Sequence, residues 1–477
     1  MDSRQQSDFV SRYPTVIREF LALGSGEALS RIIAFCVTMY LARTLGASAY
    51  GVIALAAGVN LYLAKIADFG IEAAGVREVA GAPQSIGRMA PAVLGLRLLI
   101  AAVVAAVAGF TCHEFLPRPD GTVLALYCLT LLPIAASTKW IHIGLERART
   151  VAAARVAGET LVLGLVVSLV GGAGDLTRVP LLQLTGECLV SAALIFALLR
   201  RGYGAGLRWR PREAWPLFAR GFPLVVQMLL GLLIFNSDLI FLRALWNSTT
   251  VGYYAAAYAL IAFTANIGIA FGTSLLPSFT RAGAGTAEES SLWRTAIAQV
   301  VAVTLPLAAG ACMVSGGVIE LGFGPAYAPS AAILAILAWS IPVSILRNVP
   351  WFALVARGRG HRLIMLTAWG VLLNLVLNSL LVAPLGATGA AAATVATETF
   401  CFVSMARVAR SEGFPGLPWR RLWRPVVATG AMVPVIGIAG GSGVVVTVML
   451  GAAVYASVLA VIGGLGFGPN GMPGLKV

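Results

Sequence analysis

Residues 89–111 read MAPAVLGLRLLIAAVVAAVAGFT, an apolar run interrupted by one charge, Arg97. About 20 such residues, rising 1.5 Å each, cross the ~30 Å hydrocarbon core of a bilayer. The run is too continuous for a barrel strand, which alternates over about 10 residues. Working outward from it, comparable segments lie at approximately 20–42, 51–72, 121–142, 153–172, 179–199, 220–243, 252–277, 293–315, 329–355, 363–383, 388–406, 425–445 and 447–467, making fourteen in all. The composition agrees. Of 477 residues, 58% are hydrophobic and 11% charged, against roughly 25% charged in a soluble domain, and the mean hydropathy is +0.87. A soluble enzyme, a disordered chain and a secreted disulfide scaffold are all excluded. The first segment exceeds the 7–15 apolar residues of a signal peptide and carries Glu27 and Arg31, so it is expected to remain as a span.

A net charge of +14 suggests nucleic acid until the 31 Arg and 3 Lys are placed on the chain. With the N-terminus inside, 25 of the 34 fall in cytoplasmic connections. Four (Arg43, Arg118, Arg178, Arg243) fall outside, and Arg31, Lys65, Arg97, Lys139 and Arg347 fall within spans. Basic residues accumulate on the cytoplasmic side of membrane proteins. Both termini are therefore expected in the cytoplasm, with the surplus charge facing anionic lipid rather than nucleic acid. The six Cys show no C-x-x-C spacing and fall mostly in apolar runs, where Cys packs as a small apolar residue. No metal or cofactor motif is present.

The two halves echo each other. Arg147-Ala148-Arg149 and Arg357-Gly358-Arg359 precede the fifth and eleventh segments, and Glu187 and Glu398 occupy the sixth and twelfth. The expected organisation is a cytoplasmic segment 1–19, a six-helix bundle 20–199, an Arg-rich linker 200–219 and a second six-helix bundle 220–406. A basic loop 407–424, a helix pair 425–467 and a tail 468–477 follow. Six spans per repeat keep both halves in one orientation, a transporter architecture. The predicted fold class is thus an all-α polytopic membrane protein: about 14 transmembrane helices, with two six-helix bundles in parallel pseudo-repeat and a C-terminal helix hairpin.

A family resemblance rests on a succession of short motifs. Leu41-Ala42-Arg43-Thr44-Leu45-Gly46 is followed by Tyr50-Gly51, Ala67-Asp68-Phe69-Gly70-Ile71-Glu72 and Val76-Arg77-Glu78-Val79-Ala80. Gly144-Leu145-Glu146-Arg147, Asn236-Ser237-Asp238, Gly324-Pro325-Ala326-Tyr327 and Leu385-Gly386-Ala387-Thr388-Gly389-Ala390 continue it over nearly the whole chain. The order resembles bacterial polysaccharide (O-antigen or exopolysaccharide) flippases of the Wzx type. These belong to the multidrug/oligosaccharidyl-lipid/polysaccharide exporter superfamily. The resemblance implies two bundles around a central cavity in the bacterial inner membrane. It also implies translocation of an undecaprenyl-diphosphate-linked oligosaccharide from the cytoplasmic to the periplasmic leaflet. The implied partners are that lipid-linked substrate, membrane lipids, and the polysaccharide polymerase and glycosyltransferases of the same pathway.

Charges inside spans cost about 2.5–3.5 kcal/mol or more and so face a cavity or a partner. Glu27 and Arg31 share a helix face, as do Lys65, Asp68 and Glu72. Lys65, Glu72 and Lys139 lie near span ends, where pairing or snorkelling suffices. Arg31, Arg97 and Arg347 sit deeper. They are the candidate cationic site for a diphosphate, since Arg keeps its charge and bonds phosphate bidentately. Asp238, Glu27, Glu159, Glu187 and Glu398 are candidates for ion or proton coupling. Gly202-Tyr203-Gly204-Ala205-Gly206 lacks the G-K-[ST] of a phosphate loop, no D-x-D pair occurs, and no outside connection exceeds about 15 residues. The chain is therefore expected not to be an enzyme such as a membrane glycosyltransferase or polymerase. A drug or small-solute antiporter and a lipid II flippase of the same fold are the alternatives.

Overall fold

The computed structural model describes residues 3–203, 211–441, 443–467 and 473–475. The stretch 204–210 of the expected linker, with Arg208 and Arg210, lies outside the described residues, as do 468–472 and 476–477 of the tail. The side chains of residues 1–23, Arg88 and Arg212 are also outside them.

The chain is built of helices: α1 (Ser3–Asp68), α2 (Ile71–Gly81), α3 (Ile86–Phe115), α4 (Asp120–Cys128), α5 (Leu131–Ala136), α6 (Lys139–Gly144), α7 (Ala148–Leu169) and α8 (Arg178–Leu199) come first. Then follow α9 (Pro211–Leu245), α10 (Ser248–Ala282), α11 (Ala287–Met313), α12 (Ser315–Phe323), α13 (Ser330–Leu337), α14 (Ser340–Ala356), α15 (Gly360–Ser411), α16 (Trp419–Ala439) and α17 (Val444–Val461). A two-stranded antiparallel ribbon pairs Leu465–Phe467, at the end of the segment expected as the last helix, with Pro473–Leu475 of the expected tail; the last helix stops at Val461 instead of running to 467. The seventh apolar segment belongs to α9, whose helix begins at Pro211, within the stretch read as a connection.

Among the described residues, ten helices are long and apolar enough to cross a membrane, or eleven if the bent pair Trp215–Phe222 and Leu224–Ile234 is counted. Two of these are double length. Gly24–Asp68 holds 45 residues and Gly360–Ser411 holds 52, or about 68 and 78 Å of helix, twice a bilayer core or more. Each contains one non-helical glycine, Gly46 (φ 78°) and Gly386 (φ 58°), a backbone region that L side chains rarely adopt. At Gly386 the chain folds back on itself. Gly370 abuts Cys401, Asn374 bonds Thr397, and Gly389 lies against the Leu381 carbonyl, all symmetric about residues 385–386. Segments 363–383 and 388–406 are thus the two limbs of one hairpin joined by a single-residue turn.

Local chemistry starts the helices where they start. Asn247 accepts the Thr250 N–H at 2.9 Å ahead of α10. Thr286 accepts the Glu289 N–H at 3.1 Å ahead of α11, while Glu289 reaches back to the Gly285 N–H at 2.8 Å, a variant of the capping box. On α3, Leu99, Val103, Val107 and Phe110 form an exposed apolar stripe at helical spacing. A soluble protein buries such a face; here it suits lipid.

The chain divides into two units, Met1–Leu232 and Leu233–Val477, the division falling within α9. The core of the first includes Ile71, Val79, Ile86, Val93, Trp140 and Phe218. In the second, Met432 and Ile436 of α16 pack on Ala309 of α11.

Candidate functional site

In the second unit, a network of neutral polar side chains is gathered around Asp238 of α9, which is fully buried. Its Oδ2 accepts hydrogen bonds from the Tyr254 hydroxyl of α10 and from Thr394 Oγ1 at 2.6 Å, and its Oδ1 accepts from Asn378 Nδ2 at 2.7 Å. Asn378 also donates to Asn374 Oδ1 at 3.0 Å, and that same oxygen accepts from Ser237 at 2.9 Å. Asn378 and Thr394 come from opposite limbs of the α15 hairpin, so the turn at Gly386 places both donors on one carboxylate. Hydrogen bonds to a carboxylate are short and stronger than neutral ones. Among the described residues Asp238 has no ion-pair partner, and its surroundings are polar but uncharged.

One turn beyond Thr394 on the same limb, Glu398 is fully buried and lies 3.0 Å from Arg347 Nε of α14. Residues four apart share a helix face, so the Asp238 network and this ion pair lie along one side of the limb. The sequence alone does not single out Asn374, Asn378, Thr394 or Tyr254. Two Asn at i and i+4 inside an apolar span are the signal that would have found the first pair.

In the first unit, Arg97 of α3 is 4% exposed and lies 2.9 Å from Asp68. Its Nη1 donates to the Ser137 carbonyl at 3.2 Å and its Nη2 to the Ile134 carbonyl at 3.4 Å. These carbonyls lie where helix α5 ends before α6; the Ile134 carbonyl already accepts the Ser137 N–H at 3.3 Å, and the arginine adds a second donor to it. Lys139 pairs with Glu72 at 2.7 Å. Arg155, which the sequence presents as a topology charge, lies inside α7 and pairs with Glu187 of α8 at 3.0 Å. Glu159 stands one turn further along α7. Glu27 and Arg31 pair within α1 at 2.8 Å, both substantially exposed. Each of the three candidate arginines therefore stands against a carboxylate of its own unit: Arg31 on Glu27, Arg97 on Asp68 and Arg347 on Glu398.

Two cavities, of about 280 and 260 Å³, open within the first unit. Arg155 and Glu187 line both, Glu159 lines the first and Arg97 the second.

A family model described as polysaccharide biosynthesis protein matches residues 16–282, more than half of the chain. The chain belongs to the polysaccharide biosynthesis protein family. Among solved structures, this family member has the fold of "Lipid II flippase MurJ, inward closed conformation", with a TM-score of 0.76 at 12% identity, covering 93% of this chain and 98% of that one. An inward-facing multidrug resistance MATE family transporter of the MOP superfamily aligns with a TM-score of 0.62 at 14% identity, over 80% of this chain and 95% of that one. A MOP superfamily transporter from Pyrococcus furiosus aligns at 0.56 and 13% identity, over 84% and 96%. No curated protein matches the sequence. The family member shares the fold of these structures, and its long apolar helices make it a multi-pass membrane protein.

Proposed function

We propose that this protein is a flippase. Its cargo is an undecaprenyl-diphosphate-linked oligosaccharide, an O-antigen or exopolysaccharide repeat unit, moved from the cytoplasmic to the periplasmic leaflet by alternating access. The observation that carries this reading is the conjunction of a polysaccharide-biosynthesis family match with the fold of a lipid II flippase over almost the whole of both chains. The function is transport, not catalysis. The partners are the lipid-linked substrate, membrane lipids, and the polymerase and glycosyltransferases that make and use the repeat unit. The deciding experiment is deletion of the gene followed by leaflet-resolved detection of the lipid-linked oligosaccharide. Accumulation on the cytoplasmic side is expected; a normal leaflet distribution would sink the assignment. The second reading, a drug or small-solute antiporter, draws on the MATE likeness. It predicts altered toxin resistance with normal surface polysaccharide.

The proposed location is the bacterial inner membrane with both termini cytoplasmic. Reporter fusions after residues 118, 178 and 326 should then read periplasmic, and those after 208, 286 and 412 cytoplasmic. A periplasmic signal at 208 overturns this orientation.

In this reading Arg31, Arg97 and Arg347 receive the diphosphate, each exchanging a carboxylate oxygen for a phosphate oxygen. Arg97 Nε is buried and makes no hydrogen bond among the described residues. Charge should matter and the two-pronged geometry should add to it. Lys replacements are expected to keep partial flipping, and the triple Gln replacement to lose most of it at equal expression. Wild-type flipping in the triple Gln variant refutes the cationic site while leaving the cargo open. Glu27→Gln should be mild if Glu27 only restrains Arg31.

A further inference from the structure

The second unit holds an apolar groove of about 540 Å³, larger than either cavity of the first unit. Val303 and Leu307 of α11 line one wall, Ala452 and Leu459 of α17 the other, and Met432 and Ile436 of α16 the floor between them. The floor helix holds both walls: Met432 and Ile436 pack on Ala309 of α11, and Gly451 of α17 abuts Ile436. No charged side chain lines the groove, and the hydroxyl of Tyr455, which does, donates to the Ala302 carbonyl. Such a lining offers a ligand apolar contact and little else, which suits an aliphatic chain. Along α17 the lining runs from Val448 to Leu459, eleven helical steps or about 16 Å at 1.5 Å per residue. That is about half of the ~30 Å hydrocarbon core, the depth that one leaflet's acyl chain occupies.

One mouth of the groove is cationic. Just past the end of α17, the Gly463 carbonyl accepts Arg424 Nη1 at 3.1 Å. On α11, two turns before Ala302, Thr295 Oγ1 accepts Arg421 Nη1 at 3.0 Å. Both arginines spring from the first turns of α16, so the floor helix sends one guanidinium to each wall. Trp419 and Trp423 of the same turns are exposed, and Arg424 lies 5.8 Å over the Trp423 ring. Exposed Trp on a membrane helix marks the headgroup level. Residues 413–477 contain no Asp or Glu. The floor helix and the α17 wall therefore bring cations to this mouth and no carboxylate side chain.

We propose that the groove holds one anionic diacyl phospholipid, with an acyl chain between α11 and α17 and the headgroup phosphate between Arg421 and Arg424. Arg keeps its charge and bonds phosphate bidentately. A zwitterionic headgroup would carry a cation of its own up to the two guanidiniums, so a headgroup of net negative charge is selected. The groove is open on its outer side, where Val303, Leu307 and Val448 are exposed, and the second acyl chain rests there among the surrounding lipid. A polyprenyl phosphate shares the phosphate and the aliphatic chain, but its chain is much longer than the groove. The phospholipid fills the space between α17 and α11, and so braces the α16–α17 pair against the rest of its unit. In the orientation proposed above it belongs to the cytoplasmic leaflet.

The inference needs neither the flippase reading nor its cargo. It is tested on the full-length protein, purified in detergent and stripped of lipid, by native mass spectrometry. The probes are phosphatidylglycerol and phosphatidylcholine with the same acyl chains, and undecaprenyl phosphate. The wild type should retain one phosphatidylglycerol, with an affinity about tenfold above that for phosphatidylcholine. The double variant Arg421→Gln, Arg424→Gln should bring the two within about twofold of each other, while Lys at both positions keeps most of the preference. Ala452→Phe fills the groove and should weaken both phospholipids together. Arg149→Gln, which removes an exposed cation of the first unit, should change nothing. No preference in the wild type, a preference that survives the double Gln variant, or tighter binding of undecaprenyl phosphate than of phosphatidylglycerol overturns the proposal. If the double Gln variant does not yield folded protein, Ala452→Phe decides alone, and unchanged phosphatidylglycerol affinity there overturns it. Each of these outcomes leaves the flippase reading standing, because that reading is judged by leaflet accumulation in cells.

Discussion

Asp238→Asn is expected to abolish surface polysaccharide, at least tenfold in display, while protein abundance stays near that of the wild type. The carboxylate is fully buried and receives Thr394, Asn378 and Tyr254 as donors, with no cation among the described residues to neutralise it. A buried carboxylate held only by neutral donors suits reversible uptake of a proton or small cation, since the incoming charge supplies what the network lacks. Asn keeps the shape and one acceptor but turns an NH2 toward a hydroxyl or amide that was itself donating. Mispairing of that kind costs about 1–3 kcal/mol. Tyr254 and Thr394 can rotate their hydroxyls, which holds the loss near the lower end. Stability should therefore fall slightly and coupling entirely. Full display from Asp238→Asn, measured at matched abundance by immunoblot, would make Asp238 a structural residue.

Arg357→Met is expected to lower stability by about 3–5 kcal/mol, the penalty for leaving one member of a buried ion pair unmatched. Arg357 Nε donates to Glu289 Oε1 at 2.9 Å, and a second guanidinium nitrogen donates to Oε2 of the same carboxylate. The third reaches the Glu412 carbonyl, and the guanidinium lies 4.0 Å over the Phe414 ring. Phe414 in turn packs on Trp293 and Phe279. One side chain thus ties the start of α11, the α14–α15 turn and the chain just past α15. Glu289 is almost fully buried, so removing its partner strands a charge. Arg357→Lys should fall between, because a point charge cannot fill both oxygens and the carbonyl together. The control is Arg31→Gln, which breaks an exposed i,i+4 pair worth at most about 1 kcal/mol. Thermal unfolding of the detergent-purified variants ranks them; equal midpoints for Arg357→Met and Arg31→Gln would contradict the clamp.

What the sequence made legible follows from the range of its signals. Apolar length is local, so residues 89–111 and 363–383 could be read as spans directly, and the Glu27–Arg31 pair follows from i,i+4 spacing alone. Partners further apart leave no such mark. Arg97 reads as a deep cation and Glu398 as a coupling candidate, yet each has an ion-pair partner on another helix, at Asp68 and Arg347. Arg155 and Arg357 registered only as topology charges, because Glu187 and Glu289 come close through packing and not through periodicity. The donors to Asp238 come from α10 and both limbs of α15. Only Asn374 and Asn378 announce themselves, as polar residues one turn apart in an apolar run. The Leu385–Ala390 motif was visible, but its meaning as a one-residue reversal depends on the φ of Gly386.

Two of the buried arginine pairs, Asp68–Arg97 and Arg347–Glu398, differ in the order in which a ribosome delivers them. Asp68 emerges before Arg97, so the third span can leave the translocon with its counter-charge already waiting in the membrane. Arg347 emerges fifty-one residues ahead of Glu398. At synthesis rates of about 5–20 residues per second, it waits about 3–10 s for its partner. During that interval a lone guanidinium carries an insertion penalty of about 2.5–3.5 kcal/mol. The nascent tenth span must then stay beside the translocon or under an insertase until the α15 hairpin arrives. Closure around Arg347 is therefore obliged to wait for the α15 hairpin, whereas the Asp68–Arg97 pair can close as soon as the third span arrives.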